Sequence, residues 1–500
     1  MRFLSRSFFP TTTAGRFLSC FLMGAVGGGG MGPLYLWPSL LIALSFFWII
    51  LTDFSRQARW KSFAAGWLFG FGYFVFSLYW IGNALLVDGN PYLWAYPLAV
   101  VGLPALFSFY PAFAALISRS LRGGRSLLAF LVYLVAMMLF EYLRGRLFTG
   151  FPWNLFGMTW TGNLAMLQFL SIGGVYTLSF LTIFMFSVPA FAWKGESPKV
   201  VRYGFLVAAI AVAVGLYMFG AQRLAAHPTE YNNNVVVQII QPNIVQADKW
   251  NSEKMWDNYR DLLTIVRADA KLSPKGPNPV RVLVMPETAI TYHHLDTPQA
   301  VEAMRGALMH FREPTYVLTG ALLKDTHGYH NSLVALDQDV HQIFSFDKFH
   351  LVPFGEYIPF QKYIPIGPIT NFSGFVEGPG PRTVMLDDIP PFSPLVCYEV
   401  IFPGEVTSDN PQRPEWIVNV TNDAWYGVSA GPYQHLAHAI YRAIEEGVPV
   451  VRSANTGVSA VVDPYGRLVT VTPLLSPYSA ESLLPLPAEA QPLYSRLKTY

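Results

Sequence analysis

Three short segments carry residue types that could do chemistry together. In Arg281-Val282-Leu283-Val284-Met285-Pro286-Glu287-Thr288 an apolar run ends in a proline and a carboxylate. A strand end holds its backbone rigidly, so Glu287 could face a cleft as a general base. An exposed strand-end glutamate is the plainer reading. In Asp347-Lys348-Phe349-His350-Leu351-Val352-Pro353-Phe354-Gly355-Glu356-Tyr357-Ile358-Pro359-Phe360 a lysine and a glutamate lie among aromatics and prolines. Charges in apolar surroundings are costly unless paired or functional. A structural Lys348–Glu356 ion pair under a loop would also satisfy that segment. The third segment is Pro394-Leu395-Val396-Cys397-Tyr398-Glu399-Val400-Ile401-Phe402-Pro403. A strand-to-helix elbow there would expose the Cys397 thiol, whereas a lone cysteine can equally be a small buried hydrophobe.

Taken together the segments supply complementary roles. A thiol of ordinary pKa near 8.5 needs activation at neutral pH. A neighbouring carboxylate can take its proton, and an ammonium can stabilise charge on the sulfur or on a carbonyl oxygen.

The elements that must position these residues follow from composition. Of 500 residues, 52% are hydrophobic and 13% charged, and the mean hydropathy is +0.32. Soluble domains carry about 25% charged residues, so a wholly soluble or disordered chain is excluded. A net charge of +2 leaves no nucleic-acid footprint. The two cysteines, Cys20 and Cys397, cannot build a disulfide framework.

Charge is sparse as far as Gln222 and ordinary after Thr229. We therefore expect a membrane domain over 1–222, a joint over 223–234 and a globular catalytic domain over 235–500. A crossing needs about 20 apolar residues, and seven segments qualify: 17–32, 34–52, 62–86, 92–118, 126–143, 164–192 and 203–221. The first is the weakest, because Gly27 to Gly30 is a poor helical run. No clear small-residue cleavage site precedes the second, which speaks against a signal peptide. Arg144 to Asn154 is too polar and turn-rich to span. Arg144 there could meet lipid phosphate or snorkel to the interface.

Basic residues cluster at Arg2, Arg6 and Arg16, at Arg56, Arg59 and Lys61, at Arg119, Arg122 and Arg125, and at Lys194, Lys199 and Arg202. These clusters fall on alternate connections, which puts the N-terminus in the cytoplasm and the second half on the outer side. In that half strand-like runs (235–240, 280–285, 316–319, 395–396, 416–420, 458–462) alternate with helical stretches (250–272, 298–311, 433–446), the pattern of a layered α/β domain. His293-His294 reads as loop. His435 and His438 stand at i, i+3 on a helix, but no third ligand is evident, so no metal is expected. Asn422 to Trp425 is a candidate pocket floor, with packing an equal alternative.

The triad order Glu287, Lys348, Cys397 resembles that of the nitrilase, or carbon–nitrogen hydrolase, superfamily. The setting narrows the resemblance to the apolipoprotein N-acyltransferase family of bacterial inner membranes. Glu141-Tyr142-Leu143-Arg144-Gly145 with Thr149-Gly150-Phe151-Pro152-Trp153 carries it. So do Gln241-Pro242-Asn243-Ile244 with Lys249-Trp250, Pro353 to Pro359, Asn419 to Gly427 and Arg452 to Gly457. It spans nearly the whole chain.

The resemblance implies a multi-pass α-helical membrane domain joined to an αββα nitrilase-like sandwich. It implies a monomer that uses no cofactor and moves an acyl chain by ping-pong from a phospholipid to a diacylated apolipoprotein. Cys397 would be the nucleophile, Glu287 the general base, and Lys348, together with the Tyr398 amide, the oxyanion stabiliser. Glu356, Tyr398 and Glu399 would support them, and Trp250 would gate the substrate entrance. Phe354 to Tyr363 and Ile366 to Phe375 would be lids at the membrane surface. Family members usually carry a final membrane helix, and here Pro492 to Arg496 resembles the segment before it. A membrane-tethered amidase or nitrilase would share the triad but needs no such helical platform. A transporter is disfavoured by the scarcity of intramembrane charge, Glu141 being the main exception.

Overall fold

The computed structural model describes residues 12–54, 57–119, 124–268, 271–290, 292–359, 367 and 374–498. Arg2, Arg6, Arg56, Arg122 and most of the two lid stretches lie outside these. The chain divides into two compact units, one of residues 1–82 and 94–226, the other of 83–93 and 227–500.

The first unit is helical: α1 Thr13–Gly28, α2 Trp37–Phe54, α3 Arg59–Leu78, α4 Leu103–Phe107, α5 Phe109–Ser118, α6 Leu127–Arg144, α7 Leu164–Leu167, α8 Leu170–Lys194 and α9 Lys199–Ala226. Among the described residues six stretches are long and apolar enough to cross a membrane: Trp37–Phe54, Arg59–Leu86, Leu93–Ser118, Leu127–Arg144, Leu170–Lys194 and Lys199–Ala226. The glycines that weaken α1 as a helix serve its packing. A Cβ on Gly24 would stand 1.9 Å from the Phe69 carbonyl oxygen of α3, and one on Gly72 2.0 Å from that of Phe21. The two backbones touch, the close approach that small residues permit between membrane helices. Arg144 is buried. It donates to the Phe151 and Trp153 carbonyls at 2.7 and 2.8 Å and lies over the Phe74 ring. It therefore ties the loop after α6 to that helix instead of reaching for lipid phosphate or snorkelling.

The second unit is a four-layer αββα sandwich. One sheet has the order β12-β1-β2-β3-β4-β5, the other β11-β10-β9-β8-β7-β6. The first six strands are β1 Tyr231–Gln241, β2 Val280–Val284, β3 Thr315–Lys324, β4 Tyr329–Leu336, β5 Gln342–Asp347 and β6 Val384–Leu386. The rest are β7 Ile389–Val396, β8 Trp416–Val420, β9 Val450–Ser453, β10 Ala460–Val462, β11 Leu468–Val471 and β12 Tyr478–Pro485. The pairs β1–β2, β2–β3, β7–β8 and β8–β9 are parallel. The apolar inner faces meet in one core that includes Val237, Val282, Phe392, Trp416 and Val418. Helices α10 Met255–Arg267 and α12 Pro298–Leu308 cover the first sheet through Leu262, Val266, Met304 and Leu308. Helix α13 Gly431–Glu446 covers the second and is buried along its whole length except Tyr433. Two short helices, α11 Tyr292–Asp296 and α14 Leu493–Leu497, complete the unit. His293 and His294, expected in a loop, belong to α11.

In such sheets ligands bind beyond the carboxyl ends of parallel strands. Glu287 lies just past β2, Cys397 directly after β7, and Thr421 to Asp423 just past β8.

Candidate active site

Glu287 sits where two backbones nearly touch. Gly320 of β3 donates its N–H to the Pro286 carbonyl at 3.1 Å. A Cβ on Gly320 would stand 2.4 Å from Glu287 Cα and 2.5 Å from Thr288 N, distances no side chain tolerates. Gly320→Ala is therefore expected to displace the Glu287 turn and to cost about 3 kcal/mol of stability through overpacking. A melting curve and the rate of Cys397 alkylation by iodoacetamide, read on the same sample, check this. An unshifted midpoint with a wild-type alkylation rate would contradict it.

The Glu287 carboxylate meets a buried polar cluster. Asn331 Nδ2 donates to Glu287 Oε1 at 2.7 Å and to Glu356 Oε1 at 2.9 Å. Lys348 Nζ lies 2.9 Å from Glu356 Oε1, 2.8 Å from Glu356 Oε2 and 4.0 Å from Glu287 Oε1. Val352 N–H also donates to Glu356 Oε2, at 2.8 Å. Lys348 is 1% exposed. Burial opposes its ammonium form, but Glu356, Glu287 and the Cys397 sulfur outweigh burial and raise its pKa above the ordinary lysine value. It is a fixed cation at every working pH.

Cys397 follows β7 with φ of 54°, in the left-handed region. For a residue with a Cβ that conformation costs about 1–2 kcal/mol, so the surroundings must hold it. Glu399, fully buried, does part of this. Its carboxylate accepts from the amides of Val396 at 2.6 Å, Phe349 at 2.7 Å and His350 at 3.2 Å. One side chain thus ties the Cys397 elbow to the segment that begins with Lys348. Burial pushes the Glu399 pKa up to about 8, against the pull of those amides and Lys348.

The elbow was expected to expose the thiol, but Cys397 is only 7% exposed. Burial raises its pKa and the Glu287 charge adds to the effect, while Lys348 and a hydrogen bond from Thr421 counter them only in part. The resting sulfur is a thiol, so a nucleophilic role would need a neighbouring base to take its proton. Tyr398 is buried beside it, with its ring against His350 and Phe402. Trp250 is one-third exposed in the turn after Lys249.

Several residues here had no assigned role in the sequence. Asn331 joins the two carboxylates. Lys249, buried, donates to the Glu287 carbonyl at 2.8 Å. Burial pushes its pKa down to about 8, with Glu287 and Cys397 pulling it upward. The QPNIVQADKW segment hinted at Lys249 only through its resemblance. His435 Nδ1 lies 2.8 Å from Asp423 Oδ1 and its Nε2 3.3 Å from the Cys397 carbonyl, so its neighbours are protein groups. His438, also buried, stands one turn further along α13. No group of three or more His, Cys, Asp or Glu suited to a metal ion occurs among the described residues.

The N-terminal half, residues 23–188, matches the model of the apolipoprotein N-acyltransferase N-terminal domain, and residues 236–476 match that of carbon–nitrogen hydrolases. An apolipoprotein N-acyltransferase of Rhodopseudomonas palustris is 38% identical over 493 residues, covering 95% of this chain and 90% of that protein. One from Brucella melitensis is 39% identical over 439 residues, covering 85% and 80%. One from Rickettsia typhi is 31% identical over 492 residues, covering 96% and 94%. Among solved structures, a carbon–nitrogen hydrolase superfamily protein of Xanthomonas campestris with an arsenic adduct in its active site aligns with 19% identity and a TM-score of 0.36, over 50% of this chain and 89% of that one. By identity sustained across nearly the full length of both partners, the chain belongs to the apolipoprotein N-acyltransferase family.

Proposed function

We propose that this membrane acyltransferase moves an acyl chain from a phospholipid, through a thioester on Cys397, to the N-terminal α-amine of a diacylglyceryl-cysteine apolipoprotein. The donor is the sn-1 ester of phosphatidylethanolamine. The observation that carries the reading is the convergence of three side chains. The Lys348 ammonium stands 4.0 Å from the Glu287 carboxylate, and the Glu399 carboxylate ties the Cys397 elbow to the segment that begins with Lys348.

In the first half-reaction Glu287 takes the thiol proton as sulfur attacks the ester carbonyl. The oxyanion that forms is stabilised by Lys348 and by the Tyr398 amide. As the C–O bond breaks, Glu287 returns the proton to the departing sn-1 oxygen, and a lysophospholipid leaves. In the second half-reaction the lipoprotein amine attacks the thioester and gives its proton to Glu287. The C–S bond breaks, the thiol is regenerated, and the triacylated product leaves. Glu356 and Asn331 hold Lys348 and Glu287 in register, Glu399 holds the elbow, and Trp250 guards the entrance. Excluding water protects the thioester between the halves.

The enzyme works as a monomer in the bacterial inner membrane with its catalytic domain facing the periplasm. The domains run over 1–222 and 235–500, joined by 223–234. Basic residues on alternate connections, including Arg59, Lys61, Lys194 and Lys199, support that orientation.

The test uses detergent-purified full chain with phosphatidylethanolamine, followed by mass spectrometry of the Cys397 peptide. An acyl mass on Cys397 is expected, and it should disappear as an added diacylglyceryl-cysteine lipopeptide gains one acyl chain. An adduct that decays to free fatty acid regardless of lipopeptide would make the protein a hydrolase. Absence of any adduct would sink the thioester route.

A further inference from the structure

A ring of side chains starts at the Cys397 carbonyl and comes back beside it. Asn419 Nδ2 donates to that oxygen at 3.4 Å, and Arg452 Nη1 donates to Asn419 Oδ1 at 2.6 Å. Arg452 Nη2 donates to Asp423 Oδ2 at 2.7 Å. The other Asp423 oxygen takes His435 Nδ1 at 2.8 Å, and His435 Nε2 returns to the Cys397 carbonyl at 3.3 Å. The four side chains come from β8, the turn after it, α13 and β9, and none is more than 1% exposed.

We infer that Asn419, Arg452, Asp423 and His435 are positioning residues that hold the Cys397 main chain in its left-handed conformation and thereby aim the sulfur at Glu287 and Lys348. The inference rests on Cys397 being the nucleophile.

Donor and acceptor directions make the ring specific. Arg452 has only donors, so it fixes Asn419 with its oxygen toward the guanidinium and its amide toward Cys397. Arg452 also lowers the Asp423 pKa against the effect of burial, so Asp423 is a carboxylate with no proton to give. His435 must therefore offer Nδ1–H. Burial and Arg452 hold its pKa below 6.5, so the neutral ring with that single proton prevails at pH 7. Asn419 is then the N–H donor to the Cys397 carbonyl, and His435, whose unprotonated Nε2 only abuts that oxygen, acts through Asp423 by fixing the carboxylate that orients Arg452. The ring leaves no slack, because a Cβ on Gly457 would stand 2.3 Å from Asp423 Oδ2. Thr421 connects it to the thiol, lying 3.4 Å from Asp423 Oδ1 and hydrogen-bonding the sulfur.

Asn419→Asp tests this with almost no change in shape. The new carboxylate still accepts from Arg452 but sets an oxygen against the Cys397 carbonyl. Two rates are read on the full-length protein in detergent: alkylation of Cys397 by iodoacetamide, and thioester formation from phosphatidylethanolamine. Cys20, buried in the helical unit, is the internal control for alkylation. Thioester formation should slow by about 100-fold, the scale of a misplaced reacting group. The alkylation rate of Cys397 should also change, while the phospholipid concentration at half-maximal rate and the melting midpoint move little. Wild-type rates in a folded Asn419→Asp chain would overturn the inference.

Should that variant unfold, His435→Asn and His435→Leu decide. Asparagine can keep a donor toward Asp423 and should recover most of the thioester-forming rate that leucine loses. Equal rates for the two would overturn the inference. If wild-type Cys397 alkylates but never accepts an acyl chain from phospholipid, the thioester reading fails, and the ring is still judged by the alkylation rates.

Discussion

Cys397→Ala is expected to form no acyl adduct and to leave lipopeptide unmodified, a loss of at least about 10⁵-fold, on the scale seen when a covalent nucleophile is removed. The fold should survive. Alanine has the same Cβ as cysteine and bears the 54° φ equally well, and the missing sulfur leaves a cavity costing about 1 kcal/mol. Cys397→Ser is the more informative partner. The thiol already sits above its ordinary pKa because it is buried beside Glu287. A hydroxyl starts several units higher still, so the same base and the same ammonium must do far more work on oxygen. Serine should therefore behave almost like alanine. Both variants should melt close to wild type and still bind phospholipid. Sustained lipopeptide acylation by Cys397→Ala would place the nucleophile elsewhere and dismantle the mechanism.

The candidate site was legible in the sequence wherever one residue ends one element. Glu287 follows the apolar run of β2 through a proline and Cys397 follows β7, so both are read from local pattern, whereas Lys348 stood out as a charge among aromatics and prolines. The parallel strands β2 and β8 were legible as whole runs, and β7 only through its last two residues. Strands β2 and β8 are buried along their whole length and therefore nearly continuous in their apolarity, whereas the prolines and Ser393 of β7 interrupt its pattern. Strands β4 and β5 escaped notice because their residues are mixed: His330, Asn331 and Ser332 are polar yet buried, Asn331 joining the site carboxylates and the other two pairing with Asp347.

The ring around the Cys397 carbonyl was illegible for a deeper reason. Asn419, Asp423, His435 and Arg452 come from four different elements, and only the fold brings their atoms to one oxygen. From sequence His435 and His438 could only be weighed as metal ligands or packing. Arg144 was misjudged similarly. Its partners are carbonyls seven and nine residues ahead, in a loop whose return path no hydropathy pattern encodes.

Lys348→Met separates two quantities that the active-site charges otherwise mix. The ammonium is flanked by Glu356 at 2.8 Å and Glu287 at 4.0 Å. Removing it leaves two buried carboxylates joined only through Asn331 Nδ2, and breaking a buried pair costs about 3–5 kcal/mol. Part of that cost is relieved if one carboxylate takes a proton, which would also disarm the base. The oxyanion loses its charged partner, worth a further factor of about 10²–10³ in rate. The Cys397 pKa loses its largest downward pull and rises again. Together these predict at least about a thousandfold slower thioester formation and a clearly lower melting midpoint. The double variant Lys348→Met with Glu356→Gln then tells stability from chemistry. Neutralising Glu356 removes the stranded charge while its amide oxygen can still accept from Asn331 or Val352, so much of the stability should return. The thioester rate should not, because no cation faces the reacting carbonyl. Thermal melts beside Cys397 adduct kinetics read both quantities from one preparation. A double variant that regained activity along with stability would show that Lys348 merely supports the fold and that the oxyanion is stabilised by another group.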